Sequence, residues 1–207
     1  MMELFLSAFV TFFVVIDPPG CAPIFASLTH GVPARERQKM AVRSVAIAAG
    51  ILLFFALLGE DLLRALGISL DAFRIAGGIM LFLIALEMVF EKRTQRRESR
   101  AQEINATPEH EDISVFPMAI PMIAGPGSIA SAMLLMSRSD GLDESLTVLA
   151  ALLAILLLTM VALLAAGALM RFLGHKVEAM ITRLLGVILA ALAAQFVIDG
   201  ISASFSA

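Results

Sequence analysis

Six long, mostly apolar stretches run through this chain, at 4–28, 42–59, 70–90, 115–137, 146–170 and 182–201. About 20 apolar helical residues cover the roughly 30 Å of hydrocarbon in a bilayer. Of the 207 residues 59% are hydrophobic and 16% charged, whereas a soluble domain has about half and about a quarter. No soluble core of this size hides so much apolar chain, so the lipid bilayer is its expected solvent. The expected fold is an all-α membrane protein with six transmembrane helices. The first stretch is read as a retained span rather than a signal peptide. Glu3 stands where a positive region belongs, and Asp17-Pro18-Pro19-Gly20 follows in place of a small-residue cleavage site.

The basic residues orient the spans. Arg35, Arg37, Lys39 and Arg43 follow the first span, Lys92, Arg93, Arg96, Arg97 and Arg100 the third, and Arg171, Lys176 and Arg183 the fifth. Twelve of the 15 Lys and Arg residues therefore fall on one side, which the positive-inside rule makes cytoplasmic. The expected location is the cell inner (plasma) membrane, with both termini outside. The segment 91–114, rich in Arg, Glu and Gln, reads as a solvated, partly disordered cytoplasmic linker between a first repeat at 1–90 and a second at 115–207.

An internal duplication supports that division. Pro19-Gly20 recurs as Pro126-Gly127, an offset of 107 residues, and Leu62, Arg64, Leu66, Gly67 and Ala72 meet Leu169, Arg171, Leu173, Gly174 and Ala179 at the same offset. Leucine-rich chains also produce such matches by chance. A duplicated unit of three spans enters the bilayer from opposite sides, so the two halves are expected as inverted repeats.

Proline and glycine then interrupt the first and fourth spans near their centres. Asp17 is followed by Pro18, Pro19, Gly20, Cys21 and, within a turn, Pro23. Each proline removes an amide donor and clashes with the preceding turn. Pro121, Gly125, Pro126, Gly127 and Ser128 repeat the design in the fourth span, with Ser128 read as a cap for the second segment. A half-helix that begins inside the bilayer turns free N–H groups and a positive dipole end inward. Two such starts facing one hollow suit a carboxylate, and the carbonyl ends opposite suit an ammonium group or cation. These residues are the candidate substrate-binding set. Proline kinks are also common in membrane helices, and Asp17 reads equally well as a cap over Pro18. A carboxylate at that depth is a site hypothesis in its own right. It suits a substrate amine or a coupling proton or sodium ion.

Arg74, Glu87, Arg183 and Gln195 are the remaining polar residues inside or at the ends of spans. They read first as anchors that snorkel to the interface, and more sharply as gating or coupling residues above and below the site. Gly186, Ala190 and Ala194 form one small-residue stripe, and Ala46 with Gly50 a shorter one, as expected of helix packing seams. One cysteine and three dispersed histidines, His30, His110 and His175, form neither a disulfide nor a metal set, and no cofactor is expected. The basic residues are not interleaved with aromatics, so nucleic acid is not an expected partner.

The two broken motifs carry a family resemblance. The run from Asp17 through Pro23 to Phe25 resembles the first signature of the MarC family of integral membrane proteins, and Ala119 through Pro121 to Ile129 resembles the second. Arg74 to Glu87 and Thr182 to Gln195 are similar to its third and sixth spans. One departure stands beside the first break, where Cys21 replaces the asparagine often found there. The resemblance implies six spans and kinship with small exporters of the lysine-exporter type, some of which are described as transporters of small neutral amino acids.

Together these readings favour a secondary transporter, an exporter or exchanger, of a small zwitterionic metabolite such as a neutral amino acid. An ion-conducting channel, or a structural or regulatory membrane protein without flux, is the alternative. No nucleotide-binding motif is present, and a single mid-span acid without a partner at its depth speaks against an enzyme. A homo-oligomer is compatible with all of these.

Overall fold

A computed structural model describes residues 1–105 and 112–206. Those residues are helical apart from short turns. The elements are α1 (Met2–Ile16), α2 (Pro18–Leu28), α3 (Ala34–Ala65), α4 (Leu70–Val89), α5 (Lys92–Asn105), an irregular segment Ser114–Ile123, α6 (Pro126–Met136), α7 (Leu142–Leu164) and α8 (Ala166–Ser206). Five helices or helix pairs among them are long and apolar enough to cross a membrane, and Ser114–Ile123 with Pro126–Met136, bent by 52°, makes a sixth if the pair is one span.

Local chemistry explains the breaks. Asp17 precedes two prolines, and the residue before a proline avoids the α region. Asp17 leaves the helix at φ 59°, ψ 65°, a left-handed conformation that Asp and Asn tolerate best after glycine. Its amide still donates to the Phe13 carbonyl at 2.9 Å, and α2 restarts with Pro18 at its first position. Because the interruption is a single residue, Met2–Leu28 still runs as one span. The second interruption is broader. Phe116 and Ile120 are extended, each before a cis-proline peptide, and Ala124 donates to Ala119 in a five-residue step at 2.8 Å. The chain then turns at Gly125 into α6, which also starts with a proline and also has 11 residues.

Packing follows small residues. The inward face of α3 is Ala41, Ser44, Val45, Ala48, Leu52, Ala56 and Gly59, and it lies against Ser114–Ile123, α6 and α7. α4 runs along α8 in the most extensive helix pairing. At Gly78 an added Cβ would come within 2.8 Å of the Ala193 carbonyl oxygen and 3.0 Å of the Val197 amide nitrogen. Backbones that close admit no side chain, which is the membrane-helix use of small residues. Outward, Leu57, Leu83, Leu157 and Val187 are exposed, as an acyl-chain solvent allows.

Several expectations change. The connection foreseen between the fifth and sixth spans, after Met170, is helical: α7 ends at Leu164 and α8 runs unbroken from Ala166. The sequence Leu-Leu-Ala-Ala-Gly has no proline or polar run to mark that turn. Ala46 and Gly50 point outward on α3, with nothing within 4 Å of a Cβ on Gly50. Gly186 does sit in a seam, but Ala194 is exposed, and the seam continues through Leu189, Ala193, Phe196 and Gly200. The largest change concerns 91–114. Residues 106–111 of that segment lie outside the described part, but 92–105 form α5, which packs against α2 and α4 rather than standing as a solvated linker.

Candidate functional site

The two interruptions meet. An added Cβ on Gly127, the second residue of α6, would lie 3.2 Å from Val15 at the end of α1 and 2.6 Å from Ile84 of α4. Glycine at this position is what lets the three helices converge. Beside the junction is a cavity of about 260 Å³. It is lined by Glu87 from α4, by Arg93, Arg96 and Arg97 from α5, and by Pro121, Gly125, Pro126, Gly127 and Ser128 from the second break, with apolar contacts from Val15 and Ile84.

Three arginines at i, i+3 and i+4 share one face of α5; Arg93 and Arg97 are turned into the bundle and Arg96 stands exposed at its edge. Arg93 donates to the Val15 carbonyl at 2.7 Å and to the Met88 sulfur at 3.1 Å. Arg96 pairs with Glu87. Arg97 Nη1 lies 3.0 Å from Asp17 Oδ2, with both side chains nearly enclosed, at 12% and 2% exposure. Burial and then the neighbouring Arg97 guanidinium push Arg93 down to about 10, which leaves it charged at neutral pH. The lining therefore carries three cations against Glu87, with the Asp17 carboxylate just behind.

The first break is closed by its own groups. Pro18 and Pro19 have no N–H, and the Gly20 amide donates to Asp17 Oδ1 at 3.1 Å. An added Cβ on Gly20 would fall 2.2 Å from Asp17 Oδ2 and 3.0 Å from Arg97 Nη1, so the carboxylate and the guanidinium occupy the space that any other residue would need. Asp17, Pro18, Pro19, Gly20, Cys21 and Pro23 do not appear in the cavity lining. Asp17 touches it through Arg97, and the Cys21 sulfur is buried against the Ile16 carbonyl at 3.4 Å. The second break is open by contrast. Gly125, not Ser128, holds the N-cap position of α6, and no side chain caps it. The start of α6 therefore offers its dipole end and the amides of Gly127 and Ser128 on the cavity side.

The remaining polar candidates are separated. Glu87 lines the cavity. Arg183 does not, but it pairs with Glu91 at 2.6 Å and so pins the α4–α5 turn, where Glu91 has φ 59°. Arg74 pairs with Asp71 at 3.1 Å and reaches the Ser137 carbonyl at 3.4 Å. Gln195 donates to Asp199 at 2.6 Å, beside Arg138, which pairs with Asp199 and stacks 4.3 Å from the Phe196 ring centroid. That group ties the start of α4 and the end of α6 to α8, away from the cavity. Sequence reading missed Arg93, Arg96 and Arg97. Their i, i+3, i+4 spacing was the available signal, but the hydrophilic run around them read as solvated.

An apolar helical bundle with a charged cavity at two helix interruptions defines a multi-pass integral membrane protein. Residues 2–205 match the family described as MarC family integral membrane protein, and the chain belongs to that family. It is 40% identical over 200 residues to a UPF0056 membrane protein of Methanocaldococcus jannaschii, covering 97% of both chains. It is 33% identical to the UPF0056 membrane protein YvbG of Bacillus subtilis, over 99% of this chain and 97% of that one. A UPF0056 membrane protein of Aquifex aeolicus is also 33% identical, over 96% of this chain and 92% of the relative. No solved structure matches.

Proposed function

We propose that the chain is a secondary transporter that carries a small zwitterion, such as a neutral amino acid, through the cavity beside the two interruptions. One observation carries the reading: an uncapped helix start, three arginines and Glu87 converge on a cavity of about 260 Å³, with Asp17 behind Arg97. That volume lies below the roughly 300–1,000 Å³ of pockets for drug-sized ligands, which favours a small solute over a bulky one. The arginines and the start of α6 suit a carboxylate. Glu87 and Asp17 suit an ammonium group, and Asp17 also suits a coupling proton or sodium ion.

The helix pairing favours two inverted three-span repeats, 1–90 and 115–207. Exchanging α1 and α2 for Ser114–Ile123 and α6, α3 for α7 and α4 for α8 preserves the main helix pairings. α1 and α2 lie on α7 as Ser114–Ile123 and α6 lie on α3, and α2 packs on α8 as α6 packs on α4. Rocking of one repeat against the other around interruptions within the bilayer then supplies alternating access. The ion pairs of Arg74 and Arg183 stand at opposite ends as gates. The inner membrane, with both termini outside, is the location that the basic residues favour.

Counterflow in proteoliposomes tests this. Labelled glycine, alanine or serine should exchange in a saturable way, and Asp17→Asn should insert normally while losing flux or its coupling to an ion gradient. Absence of saturable movement for the whole panel would rule out the substrate class.

A further inference from the structure

We propose that the Arg97–Asp17 ion pair is the seat of the solute itself: a zwitterion enters between the two side chains, its carboxylate taking Arg97 and its ammonium taking Asp17. The inference rests on the binding reading above and goes further by naming the atoms.

The pair is built for exchange. Asp17 gives one oxygen to Arg97 and the other to the Gly20 amide, so the contact with the guanidinium is made through one nitrogen. An arginine fork binds a carboxylate best with two parallel bonds, and Arg97 faces the cavity from which such a carboxylate would arrive. In the structure Asp17 takes the place on Arg97 that an incoming carboxylate would take. If that carboxylate arrived alone, Asp17 would be left buried without a cation, which is strongly unfavourable. If an amine arrived alone, it would displace Arg97 and leave the guanidinium unpaired. A zwitterion satisfies both partners and leaves the enclosed charge unchanged. The seat thus selects for solutes that carry both charges.

The same exchange moves a structural element. Arg97 is the contact through which α5 holds the α1–α2 interruption, while Arg93 and Arg96 hold the ends of α1 and α4. A solute seated between Arg97 and Asp17 forces α5 away from α2, against which it packs, and Cys21 of α2 becomes accessible.

Cys21 is the protein's one cysteine and is buried, so its alkylation by a charged, membrane-impermeant maleimide added from the α5 side reads this movement directly. Glycine, alanine or serine should speed alkylation of the unmodified protein by about tenfold. Acetate alone and ethylamine alone should leave the rate unchanged. Arg97→Gln and Asp17→Asn should each alkylate fast without solute and show no response to alanine. Equal responses to alanine, acetate and ethylamine overturn the proposal. So does no response to any of the three amino acids, or a slow rate in both variants. The solute arm uses the unmodified chain and so does not depend on either variant folding. A response without flux in proteoliposomes would overturn the transport reading and leave the seat standing. Flux without a response would do the reverse.

Discussion

Replacing Asp17 in turn by Asn, Gly and Ala separates its backbone role from its charge. Asp17 sits at φ 59°, its carboxylate caps Gly20 at 3.1 Å, and it faces Arg97 at 3.0 Å. All three replacements remove the charge equally, so the differences among them report on the backbone. Asn keeps both the cap and the tolerance for left-handed geometry. Gly gives up the cap for a few tenths of a kcal/mol and keeps the geometry. Ala gives up the cap and adds about 1–2 kcal/mol for a Cβ in the left-handed region. The expected order of stability is therefore Asn, then Gly, then Ala. With a shift of about 2–4 °C per kcal/mol in chains of this size, the Ala protein should melt roughly 2–8 °C below the Gly protein in detergent. A continuous helix at residue 17 predicts the opposite sign, because Ala is favoured over Gly by about 1 kcal/mol in a helix interior. An Ala variant that melts above the Gly variant would therefore refute the interruption itself, whatever the transport assay reports.

Gly20→Ala should lower stability by about 1–3 kcal/mol, the usual range for overpacking, because its Cβ would stand 2.2 Å from Asp17 Oδ2; thermal unfolding checks it. Gly78→Ala should cost a similar amount, since two of the three nearest atoms it meets belong to the α8 backbone. Gly50→Ala, which meets nothing within 4 Å, should be neutral or stabilising by up to about 1 kcal/mol, and the two variants compared in one melting series test the seam. Glu91→Gln should loosen the α4–α5 turn by removing the partner of Arg183, seen as faster amide hydrogen exchange across 92–99 and little change in α7.

The spans and the prolines that open α2 and α6 were legible in the sequence because they are set by local covalent constraints. A run of apolar side chains suits only lipid or a buried core, and Pro18, Pro19 and Pro126 lack the donor that a helix interior needs. No tertiary partner restores a missing N–H, so these readings hold wherever the segments pack. The length of the apolar run also marked α4 closely, at Leu70–Val89. It failed to find the turn at Ala165, where both neighbours are equally apolar and helix-prone.

Only the tertiary structure decided which faces meet and where the charges go. Ala46 and Gly50 are as small as Ala41 and Ala48, yet the first two face outward and the latter two are buried. Size permits close approach but does not choose the neighbour. The arginines of α5 show the same limit more sharply. A hydrophilic helix beside a span is stable in water or against buried carboxylates, and composition is the same in both cases. Its docking depends on Asp17, 80 residues away in the chain, and on Glu87 standing where Arg96 can reach it. Ion pairing acts across space between residues that carry no mark of each other in the sequence, so it appears only when the bundle is closed.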